Sequence, residues 1–141
     1  MQGSCLCQSI RFEIGGDPKA VVHCHCQFCR KAHGALYTTL LFMPFSCLKV
    51  TEGAQHFTRY HLPRLKADRC FCAKCGTRLY NHAPSREMIS VVVATLDGGE
   101  ALRPLAHINT ESKSSMLQIG DGLPQFLAVP TPAEFKQMLA G

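Results

Sequence analysis

Apolar and polar residues alternate with a period of two along much of this chain, which predicts strands with one face toward a core. Over residues 8–14, Ile10, Phe12 and Ile14 interleave with Ser9, Arg11 and Glu13. Residues 36–43, 48–51, 55–60 and 66–70 also read as strands. Residues 89–96 form a β-branched run, predicting a strand buried on both faces. Leu96-Asp97-Gly98-Gly99 predicts a turn, with glycine where positive φ is needed. A clear helix signal comes only at the end. Thr131-Pro132-Ala133-Glu134 offers an N-cap, a Pro at the first helical position and a Glu three residues after the cap. Phe135, Met138 and Leu139 then share one face. No linker or low-complexity tract divides the chain, so the pattern predicts one mostly-β domain over residues 1–141 with a short C-terminal helix.

Composition narrows the class. Hydrophobic residues make up 46% of the 141 and charged residues 18%. The charged share is below the roughly 25% of an average domain, which excludes disorder. No apolar run approaches the roughly 18 residues of a membrane span, and the longest, residues 40–45, contains Pro44. Met1-Gln2-Gly3-Ser4 has neither the basic start nor the apolar run of an export signal, and Gln2 excludes myristoylation. The expectation is a soluble cytoplasmic protein with no membrane partner.

Nine cysteines change the picture. An odd count without an export signal favours metal or redox chemistry over a disulfide framework. Eight fall in three clusters: Cys5-Leu6-Cys7, Cys24-His25-Cys26-Gln27-Phe28-Cys29 and Cys70-Phe71-Cys72-Ala73-Lys74-Cys75. In extended chain, residues i and i+2 share a face, so each C-x-C offers two sulfurs to one ion. The C-x-x-C step suits a tight turn around that ion, and Gly76 eases the second turn. The clusters predict two zinc sites. The same alternation turns His23 and His25 away from the metal. His33 reads as a surface histidine on a short helical turn near the rim of the site. His56, His61, His82 and His107 carry no motif, and Cys47 reads as a buried small hydrophobe.

Metal also reinterprets the charge. Seven thiolates against the four charges of two zinc ions would lower the formal +5 by three. The basic residues are scattered, densest over residues 59–69, and no Lys/Arg run of the kind that tracks phosphates is present. A nucleic-acid partner is therefore not expected, despite a pI near 8.8. How the sulfurs divide decides the chemistry, because structural zinc sites are closed and catalytic ones keep a position open. Eight clustered sulfurs could close two four-sulfur sites. Alternatively Cys70 stands aside, leaving one closed site and one open three-sulfur site. Spacing alone leaves both open.

The sequence resembles the glutathione-dependent formaldehyde-activating enzyme family, which includes the centromere-protein-V type domains. The resemblance begins at Gly3-Ser4-Cys5-Leu6-Cys7 and continues through Cys24-His25-Cys26-Gln27-Phe28-Cys29-Arg30-Lys31 with Gly34. It runs on through Phe71-Cys72-Ala73-Lys74-Cys75-Gly76-Thr77-Arg78-Leu79, Thr95-Leu96-Asp97, Pro104-Leu105-Ala106-His107-Ile108 and Glu111-Ser112-Lys113. It closes at Asp121-Gly122-Leu123-Pro124-Gln125-Phe126. It implies an Mss4-like fold of mostly antiparallel sheets stapled by two zinc ions. The structural zinc would be held by Cys5, Cys7, Cys72 and Cys75, and a second, open zinc by Cys24, Cys26 and Cys29. The family pattern does not require Cys70, which favours the open site. Gln8 departs from a common Gly, Ser114-Ser115-Met116 from a common Trp, and Cys70 is an addition.

The implied activity is that of a zinc-dependent carbon–sulfur lyase. A thiol such as glutathione adds to a small aldehyde such as formaldehyde, giving an S-hydroxymethyl thiol, and the reverse. A thiol at the open position would lose its proton readily. Three thiolates dampen the acidity of the ion, which favours thiol capture over water activation. The expected partners are thus a small-molecule thiol and an aldehyde, with Arg30, Lys31 and His33 placed to meet the thiol's carboxylates. No general acid or base is identifiable from the sequence. The alternative is a zinc-stapled Mss4-like binding module without catalysis, in which every clustered sulfur is tied up. An exposed sheet edge could also pair two copies in a homodimer.

Overall fold

The computed structural model describes residues 1–141. The chain runs β1 (Gln2–Ser4), β2 (Arg11–Ile14), β3 (Val21–Cys24), α1 (Gln27–His33), β4 (Thr38–Pro44), β5 (Leu48–Glu52) and β6 (Phe57–Leu62). It continues through β7 (Ala67–Cys72), β8 (Arg78–Ala83), β9 (Met88–Val92), β10 (Ala106–Ile108) and α2 (Pro132–Ala140). The fold is mostly β, as the periodicity predicts. Two compact units share the residues: Met1–Pro18 with Leu41–Leu102, and Lys19–Leu40 with Arg103–Gly141.

In the first unit β1, β2 and β5 form an antiparallel sheet. Ile10, Phe12 and Ile14 are buried there. Gly3 lies opposite Phe12, and a β-carbon at Gly3 would come within 2.4 Å of that ring. Only glycine fits under the phenyl group. The same unit carries the antiparallel run β9-β8-β7-β6. Its β6–β7 and β8–β9 connections use one device twice, a Pro-led 3₁₀ turn (Pro63–Leu65, Pro84–Arg86) closed by a left-handed residue, Lys66 or Glu87. Proline presets the first φ of each turn. In β9, Ile89, Ser90, Val91 and Val92 are all buried, which fits a strand covered on both faces. That strand stops at Val92 and residues 93–95 form a 3₁₀ turn, so it is shorter than the apolar run.

In the second unit β3 and β10 pair in parallel, with Val22 opposite Ala106, His23 opposite His107 and Cys24 opposite Ile108. Val21, Val22, Ala106 and Ile108 form its buried floor. The C-terminal helix α2 has the expected cap. Thr131 Oγ1 accepts the Glu134 N–H at 3.3 Å, and Glu134 Oε2 accepts the Thr131 N–H at 2.7 Å. Its apolar face is only half covered, since no residue of α2 is buried. Helix α1 goes beyond the sequence expectation, which placed only a turn there. Seven residues are too few to display a helical period. Strands β1, β3, β8 and β10 likewise go beyond the sequence pattern; β1 and β10 have only three residues each.

Candidate metal centres and active site

The first unit brings together Cys5, Cys7, Cys72 and Cys75, with all four sulfurs within 4.8 Å of one another. Each pair comes from a tight turn at a strand end. After β1, the Gln8 N–H reaches the Cys5 carbonyl at 2.9 Å, and the Ile10 N–H points at Cys5 Sγ at 3.3 Å. After β7, the Gly76 N–H reaches the Cys72 carbonyl at 2.8 Å, with Gly76 at φ 76°. The Leu6 N–H donates to Thr77 Oγ1 at 3.0 Å and ties one turn to the other. Gln8 sits at φ 59°, a conformation that suits glycine and costs a side-chain residue about 1 kcal/mol. The departure from glycine at this position is thus a local strain, held by a 3.0 Å bond from Arg11 Nη2 to Gln8 Oε1.

Sulfur separations test the fit to a metal. Cys5 Sγ lies 3.6 Å from Cys7 Sγ, and Cys7 Sγ lies 3.9 Å from Cys72 Sγ. Disulfide sulfurs would sit about 2.05 Å apart. Four sulfurs at about 2.3 Å from a tetrahedral zinc would be about 3.8 Å apart. The group fits one such ion, with no protein position left open. Burial, reinforced by the neighbouring thiols, pushes the Cys5 thiol up to about 11. The Thr77 hydroxyl holds Cys75 down to about 5, and the Ser9 hydroxyl lowers Cys7.

The second unit gathers Cys24, Cys26 and Cys29, again within 4.8 Å. Cys24 ends β3. Cys26 is the N-cap of α1, its Sγ accepting the Cys29 N–H at 3.3 Å, and Cys29 lies in the first helical turn. The C-x-x-C step is therefore a helix start, closed seven residues later by Gly34 at φ 59°. The Asn109 amide donates to Cys24 Sγ at 3.4 Å. The adjoining Cys24 and Cys26 thiols, followed by burial, push Cys29 far up, and Cys26 likewise raises Cys24. Three thiols this close resist ionisation together, and a bound cation would relieve that. No fourth cysteine belongs to the group.

Cys70 lies instead on β7 opposite Tyr80, buried and hydrogen-bonded to the Tyr80 hydroxyl. Its position has a local cause. Cys70 and Cys72 share a face of β7, which pairs regularly with β6, and the extra residue at the β7–β8 register shift is Leu79 on β8; Cys70 therefore lies two residues, about 6.6 Å, along the strand from the sulfur group. Cys47 is half-buried in a 3₁₀ turn at Phe45–Cys47, rather than fully buried as expected.

Beside the three-sulfur group, α1 borders a pocket of about 500 Å³ lined by Gln27, Arg30, Lys31, Gly34, Ala35 and Leu36. Arg30 is held by a 2.7 Å bond from Nη1 to the Ser112 carbonyl. A histidine cluster unmarked by any motif is also present. His25 Nε2 and His107 Nδ1 are 2.8 Å apart, His107 Nε2 and Asp121 Oδ2 are 2.8 Å apart, and His23 Nδ1 meets Thr39 Oγ1 at 2.9 Å. The Tyr37 ring packs on His23 and His25, with centroids 4.9 and 5.2 Å away. Burial, with His107 alongside, lowers His25 to about 4. The Leu123 N–H and then His107 hold the Asp121 carboxyl below its ordinary range.

Residues 1–112 match the family described as glutathione-dependent formaldehyde-activating enzyme. The chain belongs to this family. The matched span contains both cysteine groups and His107, and it ends before Asp121 and α2. An uncharacterized lyase of Schizosaccharomyces pombe is 33% identical over 82 residues, 56% of this chain. That alignment spans 55% of the yeast protein, about half its length. The crystal structure of a Rhodobacter sphaeroides protein superposes with a TM-score of 0.61 at 23% identity, covering 89% of this chain and 99% of that one. The likeness to the bacterial protein is one of fold. No helix of this family member is long and apolar enough to cross a membrane.

Proposed function

We propose that this protein is a zinc-dependent carbon–sulfur lyase acting on a small thiol of the glutathione type and a small aldehyde of the formaldehyde type. In the forward direction the thiol sulfur bonds to the carbonyl carbon, and the thiol proton ends on the carbonyl oxygen. The reverse breaks that carbon–sulfur bond and releases both reactants. The carrying observation is the difference in ligand count between four sulfurs in one group and three in the other. Zinc held by Cys24, Cys26 and Cys29 would supply an open coordination position at which a thiol's pKa falls.

The chain's own residues supply the rest. Cys26 serves the site twice, as a sulfur of the group and as the cap that begins α1. That helix carries Arg30 and Lys31 into the neighbouring pocket, where two cations suit the carboxylates of an anionic thiol. Asn109 steadies Cys24 with a hydrogen bond. Family membership and the lyase name of the yeast relative support this reaction class. A reducing compartment such as the cytoplasm would keep all these sulfurs available.

Cobalt substitution followed by glutathione titration tests the reading. Visible bands that shift at one equivalent of glutathione, and that do so equally in Cys70→Ser, are the expected result. Bands unchanged by glutathione and by other small thiols would mean that both sites are closed. The protein would then be a metal-stapled binding module.

A further inference from the structure

Outside the cysteine groups, a third set of ligand atoms converges in the second unit. His23 and His107 are register partners on the parallel strands β3 and β10, with ring centroids 4.8 Å apart. Asp121 joins them, and one ligand atom from each residue lies within 4.8 Å of the other two. The remaining polar atoms are already tied. His23 Nδ1 meets Thr39 Oγ1, His107 Nδ1 meets His25 Nε2, and Asp121 Oδ1 accepts the Leu123 N–H at 3.0 Å. What is left to converge is Nε2 of His23, Nε2 of His107 and Oδ2 of Asp121.

A metal-binding imidazole needs this outer arrangement. Its second nitrogen must be held by a partner that fixes both the ring and the tautomer. His107 Nδ1 shares a hydrogen bond with His25 Nε2, and His107 Nε2 faces Asp121 Oδ2 across 2.8 Å. With the ring hydrogen on Nδ1, His107 Nε2 would turn its lone pair toward that oxygen, and a cation could then be shared between them. His107 is buried while Asp121 is 43% exposed, so an ion could enter from the carboxylate side. Strand alternation puts His23 on the opposite face of β3 from Cys24, which keeps this cluster distinct from the sulfurs.

We infer that His23, His107 and Asp121 form a third metal site, for a borderline divalent cation of the zinc, cobalt or iron(II) class. Two imidazoles and one carboxylate suit such ions. Magnesium and calcium prefer all-oxygen shells, and soft ions prefer sulfur. Three protein ligands leave positions for water or a second ligand. The site stands apart from the thiol–aldehyde reading. Its carboxylate also lies beyond the residues that match the family.

Cobalt loading of the full-length protein separates this site from the cysteine groups. Cobalt bound to thiolates shows intense near-ultraviolet charge-transfer bands, whereas a histidine–carboxylate site adds only weak visible bands. The expected result is one thiolate-free equivalent in the wild type that is lost in both Asp121→Ala and His23→Gln. Total cobalt should then fall by one equivalent while the charge-transfer bands stay unchanged. Asp121 is exposed, so its variant tests the site with little demand on folding. The inference is overturned if saturating cobalt fills no thiolate-free site in the wild type, or if that equivalent survives both substitutions. Neither outcome depends on whether the three-sulfur group accepts glutathione.

Discussion

The two cysteine groups differ less in chemistry than in the span of chain they close. The four-sulfur group joins a turn after β1 to a turn after β7, with Cys7 and Cys72 separated by 65 residues. The three-sulfur group is assembled within residues 24–29, from one strand end and the helix start beside it. An ion in the first group would close a long loop and hold distant segments, which makes binding free energy into folding free energy. An ion in the second would be held by a local scaffold that already has hydrogen bonds of its own. One arrangement suits a staple and the other a working site with a position to spare.

The largest expected effect follows from that contrast. Cys72→Ser should abolish cooperative folding of the first unit and cost more than about 5 kcal/mol. Thermal denaturation with parallel metal analysis checks this, and a variant that melts like the wild type would erase the distinction between the groups. Cys26→Ser should behave in the opposite way. Serine is a good N-cap, so α1 should persist and stability should change by about 1 kcal/mol or less. Metal content should drop by one equivalent, and thiol–aldehyde turnover should fall by about 100-fold or more.

A smaller effect is expected at the pocket. Lys31→Ala should raise KM for glutathione about fivefold with little change in kcat, the loss of about 1 kcal/mol of uniform binding. A thiol without carboxylates should show no such difference, and steady-state kinetics with both thiols would reveal a merely structural role.

The smallest effect lies in the sheet that carries Cys72. His61, then Arg59, hold the Asp68 carboxyl below its usual range through contacts of 2.8 and 3.4 Å. The stability this lends is complete above the unfolded pKa of about 3.9 and is lost as pH falls through the lower folded value. Asp68→Asn should therefore lower stability by about 1 kcal/mol or less at neutral pH. The difference from wild type should vanish in acid, as urea titrations across pH would show.

Local spacing made the metal chemistry legible. The C-x-C and C-x-x-C steps single out Cys5, Cys7, Cys24, Cys26, Cys29, Cys70, Cys72 and Cys75 before any fold is known, because side-chain direction over two or three residues depends on local backbone geometry, and only the family resemblance sets Cys70 aside. The capping box of α2 was legible for the same reason. Helix α1 was not, since its cap is a thiol and its length gives no period. The two Pro-led turns carry no such local signal, because Lys66 and Glu87 occupy left-handed positions usually signalled by glycine or asparagine.

Cys70 and His107 mark where local inference ends. Cys70 stands in a motif with the same spacing as Cys24, and only the placement of Cys5 and Cys7 beside Cys72 and Cys75 leaves it outside the sulfur group. His107 has no motif, and only the parallel pairing of β10 with β3 sets it against His23, 84 residues earlier. The sequence by itself determined the strand-rich class, the cysteine clusters and the capped C-terminal helix, all of which follow from periods and spacings within a few residues. Tertiary structure alone decided which sulfurs meet, that one group has three and the other four, and that two histidines and an aspartate converge. Those outcomes depend on pairing register and loop closure, which bring together residues that no local spacing relates.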